Sequence, residues 1–394
     1  MRGPRLACAL AATAIVAALG AAPASAQTVS DLTLDLQNLQ ARIAAGDKAA
    51  YASQTERISA VGAAILAAKP EVWSSKRETD SAVIYLLSGG QPRDVVRLVE
   101  SGAVPASEIP LMRGVLAYVL GNEPEAEKRL LAIDARRLPL RLAGPMAFAQ
   151  SVLETGHDSA KAIELLDLAR LLAPGTLVEE AALRREIMLV ADQHDVDRIA
   201  RLARQYASRF GASVYAEGFL QTLAGALAQS GAIDSQENFD KFKAFFGALA
   251  PETRRGFLLG LARAAMLSGR FEVAAEAAAA ALEGVAPDSV DEARGKLYEA
   301  MARILTPDYD AALAELQNVA SAKLDRHDQE LLAAARGVAV FLRQAPAGSA
   351  EPPGANAAAM ASANPNDAVA QTIVLAEAAL GRTAPLAVAP KGSL

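Results

Sequence analysis

AIELLDLARLLAPGTLVEEAALRREIMLVAD, Ala162 to Asp192, reads as one helix, a stop and a second helix. Three residues write the stop. Pro174 disfavours helical angles at Ala173, and Gly175 takes backbone angles that other residues resist. Thr176 opens the next helix with Glu179 three residues on, the spacing of a capping box. Glu179 and Glu180 place acid in its first turn, and Glu180 to Arg184 is a favourable i,i+4 pair. Leu183, Ile187 and Val190 supply a core stripe. One helix pair cannot bury both of its faces, so this stretch predicts neighbours before and after it.

The neighbours follow the same beat. Turn residues fall inside helix pairs at Gly89, Gly121, Gly156, Asp195, Gly231, Gly269 and Pro307, at intervals of 32 to 39 residues. Such periods mark helical-repeat arrays, with tetratricopeptide units at about 34 residues. Small residues at matching offsets let paired helices approach closely: Gly114 with Gly121 and Ala126, and Ala262 with Gly269 and Ala274. Alternating strand patterns are missing almost everywhere. The predicted fold is all-α, a tetratricopeptide-like helical-repeat solenoid of antiparallel pairs over residues 78–344. An N-terminal helical pair precedes it over 27–77, with helices at Ser30–Ala45 and Asp47–Ala68 broken at Gly46. Trp73, the sole tryptophan, lies in the connection and is expected to plug the space beneath a loop. Residues 345–394 form an Ala/Pro-rich tail with the composition of a linker, and 367–380 could make one short helix.

Residues 1–26 read as an export signal. Arg2 and Arg5 form a basic region, Leu6 to Leu19 an uncharged apolar core, and Ala24-Ser25-Ala26 a small-residue cleavage site, so the mature chain is expected to start at Gln27. The apolar core is short of the roughly 20 residues a membrane span needs. Cys8, the single cysteine, leaves with the leader, and stability then rests on packing alone. Removal also takes two arginines, leaving 37 basic residues against 45 acids. A mildly acidic chain with interspersed signs carries no electrostatic footprint for nucleic acid. No later apolar run approaches membrane length, so the mature chain reads as an exported protein without a membrane span.

Chemistry is sparse. His157, His194 and His327 stand far apart, none with a second histidine or a cysteine at ligand spacing, which argues against a metal site. No Gly-rich phosphate loop or Gly-x-Ser-x-Gly elbow is present, so neither cofactor nor catalytic residue is assigned. A helical-repeat enzyme that cuts cell-wall glycan would need a catalytic Glu in a compact domain beyond Arg343, where only the tail follows. What remains is surface, because a curved helical stack offers a long concave face to a peptide or partner domain. Two clusters supply candidate partner-binding residues: Arg184 and Arg185 with Glu179 and Glu180, beside Glu186, and Tyr206, Arg209 and Tyr215, beside Phe210. Solvated charge is the ordinary role of the first kind and inter-repeat packing that of the second.

The stretch LLDLARLLAPGTLVEEAALRREI (Leu165–Ile187) also carries a family resemblance. With LQNLQARIAAGD (Leu36–Asp47), AVIYLLSGGQP (Ala82–Pro92), RGVLAYVLG (Arg113–Gly121) and RFGASVYAEGF (Arg209–Phe219), it resembles the MotC family of periplasmic flagellar-motor proteins. The resemblance implies export to the periplasm, binding to the periplasmic domain of the stator subunit MotB, and a requirement in flagellar rotation and chemotaxis. It brings no catalytic residues and no defined contact residues. Without it, the same residues would suit a general periplasmic adaptor in cell-envelope or cell-wall assembly.

Overall fold

A computed structural model describes residues 27–344 apart from 305 and 307. The expected leader, tail, 367–380 helix and Pro307 turn lie outside the described residues. Among these residues the chain is helical, and its helices pair with their neighbours along the chain. The first pairs are α1 (Val29–Ala44) with α2 (Lys48–Ala67), α3 (Lys76–Leu87) with α4 (Pro92–Glu100), and α5 (Ile109–Val119) with α6 (Glu123–Leu130). Next come α7 (Leu140–Glu154) with α8 (Ser159–Leu172) and α9 (Leu177–Asp192) with α10 (Val196–Phe210). In the following unit α11 (Ala216–Ser230) precedes two short helices, α12 (Gln236–Lys241) and α13 (Lys243–Ala248). Then α14 (Pro251–Leu267) pairs with α15 (Phe271–Leu282), α16 (Val290–Arg303) with α17 (Tyr309–Asn318), and α18 (Arg326–Gln344) ends the array.

The expected turns fall where the pairs divide. Gly89, Gly121, Gly231 and Gly269 all sit there with positive φ, the conformation that favours glycine. Between α9 and α10 there is no glycine, so His194 takes φ 58° itself and the Asp195 carboxylate accepts from Arg198 N–H at 3.0 Å to cap α10. Trp73 is 1% exposed in a 3₁₀ turn at Pro70–Ser74, packed under the connection as expected.

First helices of successive pairs also touch one another, as a solenoid requires: α1 on α3, α3 on α5 and α7, α7 on α9, then α11, α14, α16 and α18 in turn. The core divides in two at α9. Residues from α1 to α8 with Ala182 form one apolar cluster, and Leu183, Ile187 and Val190 of α9 belong to a second that runs to α18. The helix that decides the fold is therefore the hinge of both cores.

One feature departs from an open stack. α1 touches α9 as well as α3, so α1, α3, α7 and α9 close a ring of four first helices. Leu39, Ile43 and Ala50 form a small core there with Leu177, Val214 and Tyr215. Tyr51 meets Tyr215 edge-on at 5.9 Å, and Ser30 N–H and Oγ donate to Glu78 at 2.9 and 2.7 Å. In this half the inner face that a solenoid usually presents is covered by its own N-terminal helix.

Candidate functional site

The α9 N-terminus shows how the candidate residues are held. Thr176 caps the helix by accepting from Glu179 N–H at 3.5 Å. The reciprocal half of the capping box is absent, a correction to the sequence reading. Glu179 reaches one residue further, accepting from Gly175 N–H at 2.6 Å and from Arg209 Nη2 at 2.8 Å. That choice ties the stop between α8 and α9 to the end of α10.

The expected Glu180–Arg184 ion pair is likewise not formed. Glu180 is fully buried and accepts from Tyr206 Oη at 3.0 Å, while the Arg184 guanidinium lies 5.2 Å from the centre of the Tyr215 ring. The same device recurs twice: Tyr85 donates to Asp94 at 2.7 Å, and Tyr298 to Asp328 at 2.7 Å, all buried. Burial pushes each phenol up, that of Tyr85 to about 12.

The structure thus gathers Glu179, Glu180, Arg184, Tyr206, Arg209 and Tyr215 at one junction, where the turn after α10 meets the N-terminal hairpin. Arg185 points elsewhere and donates to Thr155 Oγ1 at 3.0 Å. Glu179, Glu180 and Tyr206 are interior, at 2%, 0% and 0% exposure, because they bind each other's elements across the junction. Only Arg184, Arg209 and Tyr215 remain at least partly exposed for a partner to meet there.

Two measurements follow from this geometry. Tyr206→Phe strips Glu180 of its donor inside the protein, and should destabilise the fold by about 1–3 kcal/mol in urea unfolding. Burial also raises the Glu180 carboxyl above its ordinary 4.5. The folded state then holds that proton longer than the unfolded chain, so the stability tied to it is present at low pH and lost as pH rises through the raised value. Glu180→Gln should flatten the fall in stability above pH 4.5 relative to the parent.

Glu186 belongs to the same mixed-charge cluster in sequence and reads there as solvated helix charge, but it is fully buried on the same helix. It accepts from Arg170 Nη1 at 2.5 Å and Arg198 Nη2 at 2.8 Å, joining α8, α9 and α10. Asp167 bridges the same two arginines from outside at 2.8 and 3.0 Å. The signal was present: Glu179 and Glu186 share the register of Leu183, Ile187 and Val190, the core stripe itself.

Among the described residues no group of three or more His, Cys, Asp or Glu side chains is placed to hold a metal ion. His157 sits at an exposed turn, its Nε2 2.8 Å from Glu127. No described helix is long and apolar enough to cross a membrane.

One concavity lies beside the junction, a cavity of about 500 Å³ at the mouth of the four-helix ring. Leu34 and Gln37 of α1, Arg141 and Phe148 of α7, and Leu177 and Ala181 of α9 line it.

Comparison with known proteins places the chain. The family model described as "Chemotaxis protein MotC" matches residues 1–388. The chain belongs to the MotC family of chemotaxis proteins. A "Chemotaxis protein MotC" from Rhizobium meliloti (strain 1021) is 27% identical over 351 residues, 87% of this chain and 80% of that relative. No solved structure matches the chain. MotC membership makes this a motility-related protein, and the helical pairs and buried junctions described here are the body on which that role is carried.

Proposed function

We propose that this protein acts outside the cytoplasm as a non-catalytic adaptor that holds the periplasmic domain of the stator subunit MotB and is needed for the flagellar motor to turn. The observation that carries the reading is membership of the MotC family over nearly the whole chain. Two features support it. The first 26 residues have the three-part pattern of an export signal. The helical-pair body is an architecture suited to holding another protein.

Purified protein, immobilised, should retain the purified periplasmic domain of MotB and release it on competition with untagged protein. Failure to retain it would overturn the reading. In cells, a deletion strain should assemble flagella and fail to swim. Normal swimming with a defective envelope would favour the general-adaptor alternative instead.

A further inference from the structure

We propose that the mouth of the α1–α3–α7–α9 ring is the docking site for a partner-protein segment that carries an apolar anchor beside a carboxylate. The inference deepens the reading above and rests on it, since the partner is taken to be the periplasmic domain of MotB.

Three observations converge on the site. First, the cavity of about 500 Å³ falls within the range of about 300–1,000 Å³ typical of binding pockets, and its walls are mostly apolar. Second, apolar surface continues beyond its rim. Leu140, at 77% exposure, and Leu34, at 39%, both stand on the edge of the cavity. Exposed leucines on the rim of a pocket, here Leu34 and Leu140, mark contact surfaces. A small amphiphile filling the cavity would leave most of Leu140 in water, whereas a protein segment lying across the mouth covers it.

Third, the rim carries a cation without an acid of its own. Arg141 Nε donates to Gln37 Oε1 at 2.8 Å, and Gln37 returns a bond to the Arg141 carbonyl at 3.0 Å. This mutual clamp fixes the guanidinium at the edge of the apolar cavity. Among the described residues no carboxylate comes within 4 Å of it. The nearby acids are already engaged: Asp31 with Arg77 at 3.1 Å, and Glu78 with the Ser30 N–H and hydroxyl. Burial first, and then the like charge of Arg77, press on the charged form of Arg141, against the more distant charges of Asp31 and Glu78, and its Nη2 donates to the Ser30 carbonyl at 3.5 Å. A planar, partly desolvated guanidinium with free N–H groups suits a carboxylate. The occupant is therefore acidic as well as apolar.

Leu140→Asp is the sharpest variant, because Leu140 opens α7 and is mostly exposed. An acid in the first turn suits the helix dipole, so the fold should keep its melting temperature. Binding to the periplasmic domain of MotB should weaken at least tenfold by calorimetry. Arg141→Gln should weaken it about threefold or more and reduce its salt dependence, and Leu267→Asp on the distant helix α14 should leave it unchanged. A photo-activatable phenylalanine derivative at position 140 should crosslink to the MotB domain, and the same probe at 267 should not. If the parent protein does not bind, both the motility reading and the docking site fall. If it binds and Leu140→Asp binds equally well, the docking site alone is overturned. A crosslink from position 140 to a second copy of the chain, or back to the same chain, overturns it as well.

Discussion

Replacing Glu186 by alanine is expected to cost about 3–5 kcal/mol, the usual consequence of removing one partner from a buried ion cluster. Glu186 has no exposed surface and receives bonds from Arg170 and Arg198, which arrive from the helices on either side of α9. Without it, Arg170, whose side chain is only 14% exposed, keeps Asp167 and Gln205 at its edge but faces an emptied interior. Arg198 loses its inner partner too and keeps only the half-exposed Asp167. Glu186→Gln retains an acceptor of the same shape and should lose less than the alanine variant. Chemical denaturation of the three proteins orders them. Equal stability of parent and Glu186→Ala would mean the arginines find water as readily as they found the carboxylate.

Gly46→Ala should rank beside it. Gly46 makes the turn between α1 and α2 at φ 97°, where an L side chain is strained by about 1–3 kcal/mol. A Cβ there would also press into the Ala212 carbonyl oxygen, well inside van der Waals contact, and a backbone atom cannot swing aside. Overpacking of that kind adds about 1–3 kcal/mol. The two penalties fall on the closure of the ring, so the expected result is more than a lower melting temperature. The Tyr51–Tyr215 contact and the Gln37–Arg141 clamp should loosen together, and limited proteolysis should cut the α1–α2 region first. An unchanged digestion pattern would show that the hairpin holds through its other contacts, those of Ser30 with Glu78 above all.

Much of the fold could be read from the chain because it is local. Gly89, Gly121, Gly231 and Gly269 announce the turns through backbone preference, and Leu183, Ile187 and Val190 announce a buried face through spacing. The helices at Val29–Ala44 and Lys48–Ala67 agree within a residue or so with those expected. Closure of α1 on α9 could not be read. It joins positions far apart in sequence through an ordinary helix face, Leu39 and Ile43, whose periodicity says that it is buried but not against what. Burial of the acids in the candidate clusters was not legible from their charge. The sequence offers Glu179 and Glu180 in one cluster and Tyr206 in another, and only the fold joins them, through the Tyr206–Glu180 bond. Charge on a helix reads as solvated until the buried partner, here a phenol or a guanidinium from the next helix, is known.

Closing α1, α3, α7 and α9 into a ring gives the two ends of the molecule different mechanical characters. Toward the N-terminus, pulling α1 or α9 away means breaking the contact that closes the ring as well as those with chain neighbours, so that end yields as a block. From α11 onward each helix leans chiefly on those next in line. Load applied at the far end can be taken up one pair at a time, as a zip opens from its free end. The protein is built as a rigid collar carrying a compliant arm.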